Sequence, residues 1–429
     1  MNTRRVAVGI GVAGLLAAAA VLAFTWHPAI AEIATTPTFD RSVVQRGAQL
    51  AAVGDCAICH AGVGGQAYAG GRPLQTPFGA IYASNITPDQ ETGIGTWSAA
   101  AFRRSMHYGV DRAGGFLYPA FPYNHFTHVT DEDVDAIYAF LMTREATRAV
   151  TPTTHLPFPL NIRPVVAGWN LLYLDHGPVP ADPARDAAWN RGAYLVEGLG
   201  HCAACHSPHN FLGAEVASNK FGGGVADGWE GPALTAAASP AAITWTPDAL
   251  YRFLRHGLDD QHAASAGPMG AVSHDLSGVP ESDVRAMAAY IASFSGPPDP
   301  AREQDVAARV ATAQVPPMAL QATEGAAIFA GACAGCHGSG APMMLNGRPS
   351  LALGSSVTAA TPRNATQILL GGLQPQPGER GPWMPGFAGS LTDAQVAAVL
   401  TYLRVRFTDQ PAWDGLADSV HSIRQDRSS

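Results

Sequence analysis

The chain has 429 residues, room for about three domains of ordinary size. Apolar residues make up 47% and charged residues 14%, a composition that forms packed cores and excludes a disordered chain. A formal charge of −8 with a single lysine, Lys220, excludes nucleic acid as a partner, because that binding rests on cationic contacts to phosphate.

At the N-terminus, Arg4 and Arg5 precede an uncharged apolar run from Val6 to Trp26. As a helix this run would be about 31 Å long, close to the hydrocarbon thickness of a bilayer. Residues 1–31 read as a signal peptide or a membrane anchor. Ala29-Ile30-Ala31 resembles a cleavage site, but the run exceeds the ~7–15 apolar residues of a cleavable signal, which favours a retained anchor. Both alternatives leave the arginines in the cytoplasm and export the rest. The expected location is the periplasmic side of the bacterial cytoplasmic membrane, anchored or peripherally bound.

The six cysteines form three motifs, Cys56-Ala57-Ile58-Cys59-His60, Cys202-Ala203-Ala204-Cys205-His206 and Cys333-Ala334-Gly335-Cys336-His337. Two thiols one helical turn apart can add to the two vinyl groups of one haem, and the following histidine then lies beneath the iron as axial ligand. A zinc ribbon needs a second Cys-x-x-Cys within ~15–20 residues, whereas these motifs begin at 56, 202 and 333. Three covalently bound haem c groups are expected.

The surroundings repeat as well. Arg46-Gly47-Ala48-Gln49-Leu50, Arg191-Gly192-Ala193-Tyr194-Leu195 and Glu324-Gly325-Ala326-Ala327-Ile328 each lead into a motif as a short helix. Downstream, Thr130-Asp131-Glu132-Asp133 reads as a capping box before Val134, Ile137, Tyr138 and Leu141. Ser282-Asp283 precedes Val284, Met287 and Ile291, and Thr392-Asp393 precedes Val396, Val399, Leu400 and Leu403. These amphipathic helices would close each unit against its first helix. The expected fold is all-α: three tandem cytochrome c-type haem domains at 40–145, 185–297 and 321–408. A proline-rich connector at 146–184, a linker at 298–320 and a polar tail at 409–429 complete the chain, behind an N-terminal hydrophobic helix.

A small electron-transfer haem commonly takes a methionine as sixth ligand. Met269 in Gly267-Pro268-Met269 and Met384 in Gly381-Pro382-Trp383-Met384-Pro385 stand before the second and third closing helices. The first domain has Phe121 in the corresponding register, and phenylalanine cannot ligate iron. Met106 is the favoured sixth ligand there, with His125 and His107 as alternatives, Met142 assigned to core packing, and an open iron also possible. His201, His209, His256, His262 and His274 read as surface or loop residues.

Three stretches carry a resemblance: Thr76-Pro77-Phe78-Gly79-Ala80-Ile81-Tyr82 with Ser84-Asn85-Ile86-Thr87-Pro88-Asp89, Thr92-Gly93-Ile94-Gly95-Thr96-Trp97, and Trp189 to Val196 with Gly198-Leu199-Gly200-His201-Cys202. Over nearly its full length the chain resembles the three-haem cytochrome c subunits of membrane-bound bacterial dehydrogenases. Subunits of quinoprotein alcohol dehydrogenases and flavin-dependent gluconate-type dehydrogenases in that family typically show methionine where this chain has Phe121. Phe121 with Met106, and a tail containing Pro411-Ala412-Trp413 and Ile423-Arg424, look more like the subunits that accompany molybdenum hydroxylases acting on aldehydes or N-heteroaromatics. The resemblance implies a catalytic dehydrogenase partner, and ubiquinone or a terminal oxidase as acceptor. The expected role is that of a non-catalytic electron-transfer subunit. The alternatives are a haem enzyme using an open iron in the first domain, and a free-standing soluble carrier.

Overall fold

The computed structural model describes residues 25–62, 65–236, 243–313, 318–338, 341, 350–375 and 382–428. The apolar N-terminal run lies almost wholly outside the described residues. Among those described, no helix is long and apolar enough to cross a membrane. The chain divides into two compact units, residues 1–51 with 56–179, and 52–55 with 180–429.

The first unit contains α1 (Arg41–Val53), the hairpin β1 (Pro73–Thr76) and β2 (Gly79–Tyr82), α2 (Ala99–Tyr108), α3 (Asp131–Met142) and α4 (Val166–Tyr173). The second contains α5 (Ala187–Tyr194), β3 (Gly224–Ala226), β4 (Trp229–Gly231), α6 (Pro247–His256), β5 (Leu258–Asp259), β6 (Ala263–Ala264), α7 (Pro268–Ser277) and α8 (Glu281–Ala292). It continues through α9 (Pro300–Thr312), α10 (Glu324–Ile328), α11 (Arg363–Gly371), α12 (Asp393–Phe407) and α13 (Leu416–Ser428). Helices dominate, but among the described residues three antiparallel two-stranded hairpins interrupt the all-α expectation.

One crossing occurs three times. A Cβ built on Gly47 of α1 would lie 1.8 Å from the carbonyl oxygen of Ala136 and 2.8 Å from Cβ of Phe140 on α3. On Gly192 of α5 it would lie 2.0 Å from Ala286 O and 2.8 Å from Tyr290 Cβ on α8. On Gly325 of α10 it would lie 2.3 Å from Ala398 O and 2.8 Å from Tyr402 Cβ on α12. The helices approach backbone to backbone, a separation that any side chain would prevent. Two of the crossings carry a charged brace: Arg46 Nε donates to Asp133 at 2.7 Å, and Arg191 Nη2 to Asp283 at 2.8 Å. At the third, Glu324 and Gln395 stand where the arginine and aspartate would be.

The braces adjoin the expected caps. Thr130 accepts from the Asp133 amide at 3.3 Å, and the Asp133 carboxylate accepts from Arg46. A reciprocal capping box forms at Thr392 and Gln395. α8 begins at Glu281 with Pro280 as its cap, so Ser282 is inside the helix. α3 is buried on every face from Ala136 to Met142, beyond the single stripe expected.

The stretches read as linker and tail belong to a core. α9 occupies 300–312 with Val306 buried, and Arg406 of α12 donates to the carbonyl of Ala313 just beyond it at 3.0 Å. α13 buries Val420 and Ile423 in the same cluster as Val396, Val399 and Leu400. Arg424 holds it to Asp393 at 2.6 Å, and Arg427 to Gln367 at 2.7 Å. The physical reason is amphipathicity: in α13 Leu416, Val420 and Ile423 form one apolar stripe on a helix whose other faces are polar.

Candidate haem centres

Each motif winds into a single helical turn. His60 N bonds the carbonyl of Cys56 at 3.0 Å, and His206 N that of Cys202 at 3.1 Å, which sets two thiols and an imidazole on one turn. Before the second and third motifs the entering helix widens into a π turn, Leu195–Leu199 and Phe329–Cys333, a local irregularity that often marks a functional site.

The hairpins complete the cradle. His60 Nδ1 lies 2.6 Å from the carbonyl oxygen of Ser84, two residues beyond β2. His206 Nδ1 lies 2.7 Å from that of Pro232, one residue beyond β4. A carbonyl only accepts, so Nδ1 must carry the proton, and Nε2 keeps its lone pair for iron. Burial lowers the pKa of both imidazoles, against the opposing pull of those carbonyls, so the neutral ligand form is favoured. Gly70 N reaches the His60 carbonyl at 2.9 Å, and Gly223 N that of His206 at 2.8 Å. Arg72 Nη1 holds the Ile58 carbonyl inside the first motif at 3.0 Å. At Gly231 a Cβ would stand 2.2 Å from the Cys205 carbonyl, so β4 touches the second motif directly.

None of the six cysteines is in a disulfide. Burial pushes the Cys202 thiol up to about 12 and the Cys333 thiol up to about 11. No group of three His, Cys, Asp or Glu suited to a metal ion forms among the described residues. Paired thiols on one helical turn, a neutral imidazole fixed by a carbonyl and an apolar surround fit a covalently held haem. When bound, the group supplies one-electron exchange at its iron. The chain attaches it, orients the ligand and excludes water, which together tune its potential.

The candidate sixth ligands are placed as follows. Met384 is half-buried, bridged backbone to backbone with Leu373, and packs on the same apolar cluster as Cys333 and Ala334. Met269 is the second residue of α7 rather than a loop residue. It follows Gly267, whose φ of +55° and closeness to the Trp229 ring, 2.5 Å from a built Cβ, admit only glycine. Trp229 opens β4, so Met269 is delivered beside the hairpin that touches Cys205. Met106 is buried on α2, and His125 is buried on the turn Tyr123–Phe126. His107 turns toward Asp131 at 3.6 Å, at the start of α3. Phe121 packs edge-on to Phe126 at 5.3 Å, in an aromatic cluster with Tyr123. Met142 is core, as expected. His262 lies in the turn between β5 and β6, buried, bonded to Asp259 at 2.7 Å and stacked on Trp245 at 3.5 Å.

The hairpins and the two orienting carbonyls are absent from the expectations drawn from sequence. Asp227-Gly228 was the available signal, since φ of +49° and +77° is the turn that dipeptide favours.

The family model for cytochrome c matches residues 44–145 and 322–405. The fructose dehydrogenase cytochrome subunit of Gluconobacter japonicus is 33% identical over 415 residues, 91% of this chain and 84% of that protein. The chain belongs to the cytochrome c subunits of dehydrogenases. It therefore carries covalently bound haem c. The gluconate 2-dehydrogenase cytochrome c subunit of Pantoea cypripedii is 35% identical over 407 residues, 90% of each chain. A nicotinate dehydrogenase subunit of Pseudomonas putida is 46% identical over 421 residues, 96% of this chain but 35% of that protein. The chain thus spans about a third of the length of that relative.

Proposed function

We propose that the chain is the electron-transfer subunit of a dehydrogenase complex on the periplasmic side of the cytoplasmic membrane. Three haem c groups, at Cys56, Cys59 and His60, at Cys202, Cys205 and His206, and at Cys333, Cys336 and His337, would pass single electrons from a catalytic partner toward ubiquinone or a terminal oxidase. The observation that carries the count is the triple helix crossing at Gly47, Gly192 and Gly325, each leading into one Cys-x-x-Cys-His motif. The second motif lies outside the matched family segments, yet it shares both the crossing and the histidine–carbonyl bond of the first.

For the partner we favour a molybdenum-dependent oxidoreductase acting on an aldehyde or an N-heteroaromatic compound. Phe121 with buried Met106 supports this, as does the 46% identity to a nicotinate dehydrogenase subunit. A second reading, a quinoprotein alcohol dehydrogenase or flavin gluconate-type partner, is supported by the fructose and gluconate dehydrogenase relatives, 84% and 90% of whose length the chain covers. Purification of the native complex in mild detergent tests both. Molybdopterin in the partner is the expected result, and bound quinone or flavin would overturn it. Full-stoichiometry carbon monoxide binding to one reduced haem would instead indicate an open, catalytic iron in the first domain.

A further inference from the structure

We infer that the connector helix α4 and the segment before it rest on a lipid bilayer. This rests on the reading that the chain is held at the membrane. α4 is apolar on both sides. One face packs inward: Val166 and Ala167 join Val110 and Phe116 in a small core, and Asn170 accepts from Tyr123 Oη at 2.6 Å. The opposite face, Val165, Gly168, Leu171 and Leu172, follows helical spacing and points to solvent, with Leu171 72% and Leu172 66% exposed. Ile162 and Phe158, the latter 79% exposed, extend this surface upstream. From Val150 to Leu174 the only arginine, lysine or carboxylate is Arg163, and it turns inward, donating to the Phe116 carbonyl at 2.7 Å and lying over the Tyr118 ring at 4.6 Å. An exposed apolar face of this kind marks a docking surface.

The occupant follows from where the N-terminal chain enters the same unit. His27 meets Phe116 edge-on at 5.2 Å, and its carbonyl sits so close to Gly114 that a Cβ there would be 2.0 Å away. Arg104 holds the Pro28 carbonyl at 2.6 Å, and Ile30 bonds the Arg112 carbonyl at 2.9 Å. Phe116 is therefore shared between the incoming chain and α4. The sequence that follows the apolar run from Val6 to Trp26 thus enters the same unit that carries the exposed apolar face, with Trp26 itself 71% exposed. An amphipathic aromatic at that junction is the residue that membrane–water interfaces favour.

The test uses full-length holoprotein in phosphatidylethanolamine–phosphatidylglycerol vesicles. A polarity-sensitive fluorophore is attached to Leu172→Cys, Phe158→Cys or, as a polar reference on the same unit, Glu132→Cys. Retention of the wild-type Soret spectrum certifies folding. The inference expects blue-shifted emission, quenched by nitroxide-labelled lipid, at 158 and 172 but not at 132, without any partner present. Vesicle-bound protein with aqueous emission at 158 and 172 overturns this inference while leaving membrane attachment intact. A shift that appears only on adding the dehydrogenase subunits overturns it in favour of a protein-docking face. Failure to bind vesicles overturns both this inference and membrane attachment.

Discussion

Replacing Gly192 with alanine inserts one methyl group where α5 meets α8. The added Cβ would sit 2.0 Å from Ala286 O, 2.7 Å from its carbonyl carbon and 2.8 Å from Tyr290 Cβ. A comfortable carbon–oxygen contact is about 3.3–3.6 Å, so the helices must part by roughly 1 Å. Both obstacles are backbone or backbone-fixed, so no rotamer change relieves them. Overpacking of this kind costs about 1–3 kcal/mol. Alanine recovers about 1 kcal/mol as the better helix former, which leaves a net loss of up to ~2 kcal/mol. For a compact unit of this size each kcal/mol lowers Tm by about 2–4 °C. Soret circular dichroism of the oxidised holoprotein, followed against temperature, reads the loss. Gly47→Ala and Gly325→Ala should act in the same direction, since the same carbonyl approach occurs at both. A Gly192→Ala protein that melts above the parent would refute the crossing.

Other outcomes follow from particular contacts. Asn364 clamps the β3–β4 hairpin to α11, accepting from Glu230 N at 3.0 Å and donating to its carbonyl at 2.8 Å. Loss of two such bonds is worth about 1–3 kcal/mol. Asn364→Ala should therefore slow electron exchange between the second and third haems in pulse radiolysis, with haem content unchanged; an unaltered rate contradicts the clamp. Met269→Leu and Met384→Leu should each abolish the thioether–iron charge-transfer band of one haem and lower its potential. Met106→Leu does the same for the first haem if Met106 is its ligand, and a spectrum unchanged there shifts the assignment to His125. Hydrogen bonds from His421 and Arg424 hold the Asp393 carboxyl below the ordinary carboxylate range. Its contribution to seating α13 is thus complete above the ordinary carboxylate pKa of about 3.9 and is lost as pH falls through the lowered value. Hydrogen exchange across Leu416–Ser428, corrected for intrinsic pH dependence, should accelerate only at that acidic end; acceleration already at pH 5–6 contradicts the docking.

The haem motifs are legible in sequence because covalent chemistry fixes their spacing, whatever the tertiary context. The glycine-led entry helices and the closing helices are legible for a related reason, since the crossing tolerates no other residue at Gly47, Gly192 or Gly325. What orients the motif histidines is not legible in the same way. Ser84 and Pro232 act through backbone carbonyls, so their side chains carry no signal, and only the intervening turns could have marked the hairpins. α9 and α13 escape notice because their polar faces dominate the composition, while a few apolar residues, Val306, Val420 and Ile423, do the seating. For the first motif, Met106 and His125 are both buried, and helix α2 and the turn bearing His125 pack against each other, so burial does not choose between them.

The central claim is that each of the three motifs holds a haem through both of its cysteines. Intact-protein mass spectrometry of the denatured, exported chain, paired with pyridine haemochrome absorbance per mole of protein, tests it most directly. The expected result is three haems retained after denaturation, falling to two in Cys202→Ala/Cys205→Ala with the other two motifs still loaded. Two or fewer covalent haems in the parent chain, or free thiols at any of the three pairs, would contradict it.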